Sequence, residues 1–394
     1  MRPMKQLRTL CAKVTSGGTP SRSHAEYYST DEVGHLWIKS KELLDCSIAD
    51  SEEKITDSGL KNSSAKYLPA CTVLVAMYGA NVGQLGWLRR PATVNQAICG
   101  LVVDPEVADH RYVFYALMDT RAGLIAQAQG AAQQNLNQDK IKDFEIPCPA
   151  VVEQRRIAEI LSAYDDLIEN NTRRIAILEE MARRMYEEWF VRFRFPGHEG
   201  VRMVESELGL VPEGWPVVRL DDVLVLQRGF DLPKQDRTEG PFPIISATGA
   251  SASHHEYKVK GPGVVTGRSG SLGTVMYVEG DFWPLNTTLW VKQFAAGSPL
   301  YAFYVLQSID LVGFNSGAAV PTLNRNDVHG LPVVRPTTEV LSAFDEVVGP
   351  MIKLKRRLEL KNENLRTTRD FLLPKLISGE LDVSAMPEQE VLAA

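Results

Sequence analysis

EQRRIAEILSAYDDLIENNTRRIAILEEMARRMYEEWFVRFRF, Glu153 to Phe195, is the stretch whose reading decides the fold. Its apolar residues fall at Ile157, Leu161, Tyr164, Ile168, Ile175, Leu178, Ala182, Met185 and Trp189, and polar Asn171 fills the one remaining position. The steps alternate four and three, the a/d spacing of a coiled-coil seam and not the looser stripe of an ordinary surface helix. No Pro or Gly interrupts the run, while Pro147, Pro149, Pro196 and Gly197 bracket it. Some ~35 residues rising ~1.5 Å each make a rod of roughly 50 Å. Such a seam is stable in water only when something packs on it.

The chain supplies a partner. From Glu339 to about Ile377, Phe344, Val347, Met351, Leu354, Leu358, Leu365 and Leu372 repeat the three-and-four stepping, with Lys361 and Thr368 as polar interruptions. The two helices are expected to pair antiparallel through these residues and through Ile157, Leu161, Tyr164, Ile168, Ile175, Leu178 and Met185 of the first.

What precedes each helix is a repeat of the other. Leu161–Ile168 (LSAYDDLI) returns as Leu341–Val348 (LSAFDEVV), and Tyr112–Leu117 (YVFYAL) as Tyr301–Leu306 (YAFYVL). Gly130-Ala131-Ala132 with Leu136-Asn137 returns as Gly317-Ala318-Ala319 with Leu323-Asn324. Asn95-Gln96-Ala97 echoes Asn286-Thr287-Thr288, and Val82-Gly83 echoes Leu272-Gly273. The fold class expected is α/β (α+β): two mixed α/β modules joined by two long antiparallel coiled-coil helices, a pseudo-twofold internal repeat. The expected boundaries are 1–150 for the first module, 151–195 for the central helix, 196–210 for a linker, 211–337 for the second module, 338–381 for the C-terminal helix and 382–394 for a flexible tail. Within the first module, Leu7–Val14 reads as a short helix or turn, and Leu36–Lys39, Thr72–Tyr78, Val82–Leu88 and Val94–Val103 as strands. Arg111–Leu124 reads as one amphipathic helix.

Composition narrows the class without deciding it. The 394 residues exceed one domain's worth of chain, and the 44% hydrophobic content is enough for real cores. No apolar run approaches bilayer length, and the N-terminus (MRPMKQLRTLC) lacks the apolar core of a signal peptide. The five cysteines are scattered and form no CxxC pair, so reduced thiols, no metal and a cytoplasmic, non-membrane protein are expected. Net charge is −6, and basic and acidic residues balance at 16 each over residues 1–150, so any nucleic-acid surface must be assembled locally by the fold.

The chemistry of a catalytic chain is missing. There is no GxxxxGK[ST], no GxGxxG opening a helix, no HExxH, no GxSxG and no Asn-Pro-Pro-aromatic tetrapeptide. Catalytic residues are therefore expected to be none. Residue types that read base edges and phosphates do cluster where the two halves differ. In the first module these are Lys39, Ser40, Lys41, Lys61, Asn62, Ser63, Ser64, Lys66, Tyr78, Asn81, Gln133, Gln134 and Asn135. In the second they are Arg228, Lys234, His254, His255, Tyr257, Lys258, Arg268, Ser269 and Arg325.

The layout resembles the specificity subunit of type I restriction-modification systems over essentially the whole chain. The features that carry the resemblance are Ser16-Gly17-Gly18-Thr19-Pro20-Ser21, Val211-Pro212-Glu213-Gly214-Trp215 opening the second module, Glu153-Gln154-Arg155-Arg156-Ile157-Ala158 opening the first long helix, and Met185-Tyr186-Glu187-Glu188-Trp189-Phe190 closing it. The first module lacks the Pro-Glu-Gly-Trp opening. The resemblance implies two target recognition domains, each reading one half of a split double-stranded DNA sequence, with helix length as the ruler for the spacer. It implies docking of two modification subunits that bind S-adenosylmethionine and methylate adenine. It also implies restriction subunits that use ATP and magnesium, and no cofactor in this chain. The competing reading of the same features is a coiled-coil scaffold whose modules bind protein partners.

Overall fold

The computed structural model describes residues 2–29, 33–128, 135–317 and 319–383. The chain divides into two compact units, Met1–Thr172 with Leu360–Ala394, and Arg173–Glu359. Each unit takes one module and one half of each long helix, so the cut falls inside the helices and not at the ends of the modules.

In the first unit, Thr72–Ala76 is the central strand and all five of its residues are buried. Its neighbours on one side are Ile98–Val103 and then Cys11–Ser16, and on the other Leu85–Leu88 and then Cys46–Ile48. The run TVLVA is apolar throughout because both faces are covered. Val73 and Val75 face a core with Tyr112, Phe114, Ile157, Leu161, Leu376 and Ile377. Leu74 and Ala76 face the other way, with Leu36, Ile38, Leu68 and Val94. These last belong to a second sheet ordered Tyr28–Ser29, Glu53–Ile55, His35–Ile38, Ala92–Val94, Tyr67–Leu68. Helix His110–Asp119 starts where the Asp109 carboxylate accepts the amides of Arg111 and Tyr112, and six consecutive residues, Tyr112–Leu117, are buried.

Three local expectations are corrected here, the first being that the single strand expected over Val94–Val103 is two, Ala92–Val94 in the second sheet and Ile98–Val103 in the main one. Leu7–Thr9 is a 3-10 turn and Cys11–Ser16 a strand, because Leu7 and Leu10 drop into the core while residues 11–16 pair with 98–103. The single helix expected over Arg111–Leu124 is two, His110–Asp119 and Arg121–Ala126. At the break the Thr120 hydroxyl donates back to the Ala116 carbonyl at 2.6 Å, competing with helix continuation.

The second unit repeats the plan. Its main sheet runs Leu224–Arg228, Thr288–Phe294, Gly263–Gly267, Val275–Val278, and its second sheet Gly249–His254, Phe242–Ser246, Trp283–Pro284. Helix Pro299–Ser308 is capped by Ser298. In each unit the strand that opens the module pairs antiparallel with the strand that leads to a long helix: Met4–Gln6 with Glu145–Pro147, and Val217–Arg219 with Pro332–Val334.

His329, 9% exposed, uses Nε2 to accept the Leu226 amide at 2.9 Å. It accepts only while that nitrogen is unprotonated, and burial lowers its pKa from the ordinary value. A buried base of this kind contributes stability that is complete above the unfolded value of about 6.5 and is lost as pH falls below it. Urea titrations from pH 7.5 to 5 are expected to lose midpoint in the wild type, and His329→Gln, which keeps an acceptor without titrating, is expected to flatten that loss.

The long helices are Val151–Tyr186, continued by a π turn over Glu187–Val191, and Thr338–Ser378. In the first unit Asn171 Nδ2 donates to Asn362 Oδ1 at 2.9 Å, and Asn362 Nδ2 donates to the Ile168 carbonyl at 3.3 Å and to the Thr172 hydroxyl at 3.2 Å. Asp165 accepts from Arg369 at 2.5 Å and from the Tyr115 hydroxyl at 2.5 Å. Arg2 closes the far end, donating to the carbonyls of Leu376 and Ile377, which the end of a helix leaves without partners. In the second unit the pairing is aromatic: Phe344 lies 4.9 Å from Phe190 and 5.9 Å from Trp189, and Tyr186 stacks on Tyr304 at 5.4 Å.

The seam of the first helix is the expected one, with Ile157, Leu161, Ile168, Asn171, Ala182 and Trp189 buried. That of the second is shifted at every other position. Phe344, Met351, Leu358, Leu365 and Leu372 stand, but Val347 and Leu354 are 39% and 37% exposed and Lys361 and Thr368 face solvent. Their places go to Val348, Lys355, Asn362 and Arg369, one residue further on. Only Leu354 against Lys355 sets an apolar residue against a polar one; elsewhere like competes with like, Val347 with Val348, Lys361 with Asn362 and Thr368 with Arg369. The polar residues that are taken have partners: Lys355 meets Glu179 at 2.5 Å, Asn362 meets Asn171, and Arg369 meets Asp165.

Candidate nucleic-acid interface

At one end of each main sheet, four loops assemble into a platform whose backbone is the same in both modules. The first loop leaves the opening strand: the amides of Gly17 and Gly18 donate to the carbonyls of Ile98 and Val94, as those of Gly229 and Phe230 do to Thr288 and Pro284. The approach leaves no room for a side chain, since a Cβ on Gly17 would lie 1.9 Å from the Val94 oxygen and one on Gly229 2.2 Å from that of Leu285. The second loop leaves the central strand: Met77 N–H donates to Ala97 O and Met77 O accepts from Leu136, as Arg268 does with Thr287 and Leu323. Gly79 and Gly270 follow at φ +82° and +89°, turns that favour glycine. The third loop is 95–97, equivalent to 285–287. The fourth brings Asn135 beside Tyr78 and Thr322 beside Ser269, and ends in Asn137 and Asn324, both helix N-caps.

These hydrogen bonds align Gln96 with Asn286, one residue away from the echo read in the sequence. They also align Thr19 with Asp231, Met77 with Arg268, Tyr78 with Ser269, and Asn135 with Thr322. The frame is constant and the side chains on it differ.

Of the residues expected to read nucleic acid, the platform gathers Tyr78, Asn81 and Asn135 in the first module, and Arg268 and Ser269 in the second, with Arg228 and Arg325 at its margin. Arg228 lies 3.4 Å from Asp231, and Arg268 Nη1 donates to the Asn286 carbonyl at 3.4 Å. Arg325 opens the short helix Arg325–His329 and reaches the Leu226 carbonyl at 3.5 Å.

Ser40 and Lys41 lie in a 3-10 turn that Lys39 caps, one residue after Ile38, whose carbonyl accepts the Asn95 amide of the third loop; Lys39 is 2.6 Å from Glu53 and Lys41 2.5 Å from Glu52. Ser64 backs onto Gly18, and Lys61, Asn62 and Lys66 are exposed nearby, with Ser63 half-buried. His254 is corrected outright: at 3% exposure, with Nδ1 held by the Thr238 backbone and its ring against Trp283, it is a core residue. Lys234 and His255 are exposed, Tyr257 packs on Phe242, and Lys258 sits 4.7 Å over the Trp283 ring. Gln133 and Gln134, with the Gly130-Ala131-Ala132 end of the repeat, lie outside the described residues.

Sequence reasoning missed four platform side chains. Thr19 donates to Gln96 Oε1, and Asn286 Nδ2 donates to Asp231. Gln96 and Asn286 stand in motifs used as landmarks of the repeat, and Thr19 in one that carries the family resemblance, which disguises all three as frame. Asp231 was passed over because a carboxylate is an unusual group to place near DNA.

Other site chemistry is thin. Among the described residues no three His, Cys, Asp or Glu side chains converge to hold a metal, and no helix is long and apolar enough to cross a membrane. The five cysteines are free, and burial pushes the Cys11 and Cys99 thiols up to about 12. The second unit contains a groove of about 1110 Å³ lined by Phe242, Tyr277, Phe303 and Tyr304, with Arg183 and Lys355 of the long helices at its side.

Two modules of one plan, each with a half of both long helices and a platform of constant frame and variable side chains, define a duplicated two-module protein. Residues 5–180 match the family described as type I restriction modification DNA specificity domain. Over nearly its whole length the chain is similar to type I restriction enzyme specificity subunits. It is 27% identical to the type I restriction enzyme MjaIX specificity subunit of Methanocaldococcus jannaschii, over 95% of this chain and 92% of that one. It is 26% identical to the EcoR124I/EcoR124II specificity subunit of Escherichia coli over 47% of this chain and 46% of that one. The crystal structure of a type I restriction-modification S subunit from M. genitalium has the same fold, with a TM-score of 0.66 over 95% of this chain and 96% of that one at 18% identity.

Proposed function

We propose that this chain is the non-catalytic, sequence-reading subunit of its complex, and that each module's platform reads one half of a two-part target in double-stranded DNA. The observation that carries the proposal is the pair of equivalent platforms bearing different side chains: a constant frame fixes the approach to DNA, and the changed residues alter what is read. Methylation with S-adenosylmethionine belongs to two modification subunits, and cleavage with ATP and magnesium to restriction subunits. Exposed apolar residues off the seam, Leu167 and Phe371 in the first unit and Ile177 and Met181 in the second, suit the long helices to docking those partners. The net charge of −6 suits a chain that binds DNA weakly alone and relies on its partners for phosphate contacts.

Exchanging residues 1–150 for the module of another family member is expected to change one half of the sequence that the complex selects from a random duplex library, leaving the other half intact. A chimaera that keeps both halves would refute the two-reader assignment. A wild-type complex that selects no sequence would favour protein-binding modules instead.

A further inference from the structure

We infer that two equivalent side-chain pairs, Thr19–Gln96 in the first module and Asp231–Asn286 in the second, are specificity-determining, and that Asn286 reads an adenine-containing base pair. The inference rests on the DNA-reading proposal above and goes beyond it by naming residues and a base.

The two pairs occupy one place in the frame. The flanking glycines, Gly17 and Gly229, make the same backbone hydrogen bonds to the strand that follows Gln96 or Asn286, and so bring residues 19 and 231 onto residues 96 and 286. In both modules the first loop is thereby tied, side chain to side chain, to the third. In both, the partner on the third loop is an amide, the group that makes bidentate contact with adenine in the major groove. The chemistry of the tie differs: a hydroxyl donates to the amide oxygen of Gln96, and a carboxylate accepts from the amide nitrogen of Asn286.

The difference has a consequence for the second module. A carboxylate only accepts, so Asp231 forces Asn286 to turn Nδ2 toward it and Oδ1 away. One N–H of Nδ2 and the lone pairs of Oδ1 remain, a donor beside an acceptor. That is the complement of adenine, which offers N7 to accept and N6 to donate. Asp231 is thus a positioning residue for Asn286, and Arg228, 3.4 Å from it, offsets a charge that DNA phosphates would otherwise repel. Arg268 steadies the same loop through the Asn286 carbonyl. Next along, the buried Thr287 hydroxyl has no hydrogen-bond partner among the described residues, although its carbonyl holds the amides of both Arg268 and Ser269. A polar group left unsatisfied there fits a loop that is completed by a ligand.

The test is selection from a random duplex library by the full chain with its modification subunit, with wild type, Asn286→Ala, Asp231→Asn and Gln96→Ala compared. Asn286→Ala is expected to lose about tenfold or more of its preference for A·T at one base pair, with the other half-site unchanged. Asp231→Asn, nearly isosteric, frees the amide to flip and is expected to relax that same base pair. Gln96→Ala is expected to relax a position in the opposite half-site. If all three variants select the wild-type motif at wild-type strength, the pairs do not determine specificity while DNA reading stands. If Asn286→Ala relaxes a G·C position, the base assignment is overturned. If the wild type selects nothing, the DNA reading falls and the inference with it. Thermal melting shows whether a variant has lost its fold, and Asp231→Asn keeps the test decisive if Asn286→Ala has.

Discussion

Val348→Asp is expected to lower the stability of the second unit by about 3–5 kcal/mol, and Val347→Asp, one residue earlier, by about 0.5 kcal/mol or less. Val348 is 0% exposed and belongs to the core of Trp189, Phe190, Tyr304 and Phe344, so a carboxylate there loses its water and gains no partner. Val347 is 39% exposed and can point a carboxylate into solvent. Against a typical net stability of about 5–15 kcal/mol, the first change is enough to unfold a marginal unit. Urea unfolding followed by tryptophan fluorescence reads this directly through Trp189. Equal effects of the two substitutions would mean that the seam of the second helix is not the one described.

The second large effect is expected at Arg369. Its side chain, 14% exposed, holds Asp165, whose other bond comes from Tyr115 on the helix that lies over the main sheet. Arg369→Met keeps most of the apolar stem and removes the guanidinium, leaving Asp165 with the phenol alone. A cost of about 2–3 kcal/mol is expected, below that of a fully buried pair because Asp165 is 27% exposed. A double-mutant cycle with Asp165→Asn should return a coupling of about 1–3 kcal/mol. Additive effects would place the two groups in a solvated pair of little consequence. Among the described residues the second unit is wired differently: Tyr304 stacks on Tyr186, and Asp345, the counterpart of Asp165, accepts from Ser298 at 2.8 Å. Burial raises the Asp345 carboxyl above its usual range, as expected for a half-buried acid whose partner is the Ser298 hydroxyl. Octapeptides of one pattern, LSAYDDLI and LSAFDEVV, therefore dock their modules by different forces.

How far the fold was legible depends on how local its causes are. Residues 151–191 could be read because a 3.5-residue period is written in neighbouring side chains, and the repeat because it needs only comparison of the chain with itself. The second helix was misread at alternate positions for a definite reason. Leu354 is a better seam residue than Lys355 until Glu179 is known to lie opposite, and nothing local ranks Asn362 above Lys361 or Arg369 above Thr368 until Asn171 and Asp165 are placed. Leu7–Val14 failed in the same way, since residues 11–16 become a strand by pairing with residues 98–103.

The site was less legible than the fold. Residue chemistry drew attention to Tyr78, Asn135, Arg268 and Ser269, which stand on the platform, but also to His254, whose polarity is spent on the Thr238 backbone. Thr19, Gln96, Asp231 and Asn286 carried no signal of their own, because what marks them is an equivalence between two sets of backbone hydrogen bonds.

From its sequence alone this protein is a duplicated module with two long helices and no catalytic motif, since periodicity, repetition and missing motifs are properties of a string. Tertiary structure decided which face of the second helix is buried, which polar residues are frame and which stand on the platform. The physical reason is that polar side chains take their roles from their partners. Asn362, Arg369, His254 and Asn286 are all polar in the sequence, and only the groups across from them make one a seam layer, one an ion pair, one a core residue and one a candidate reader of DNA.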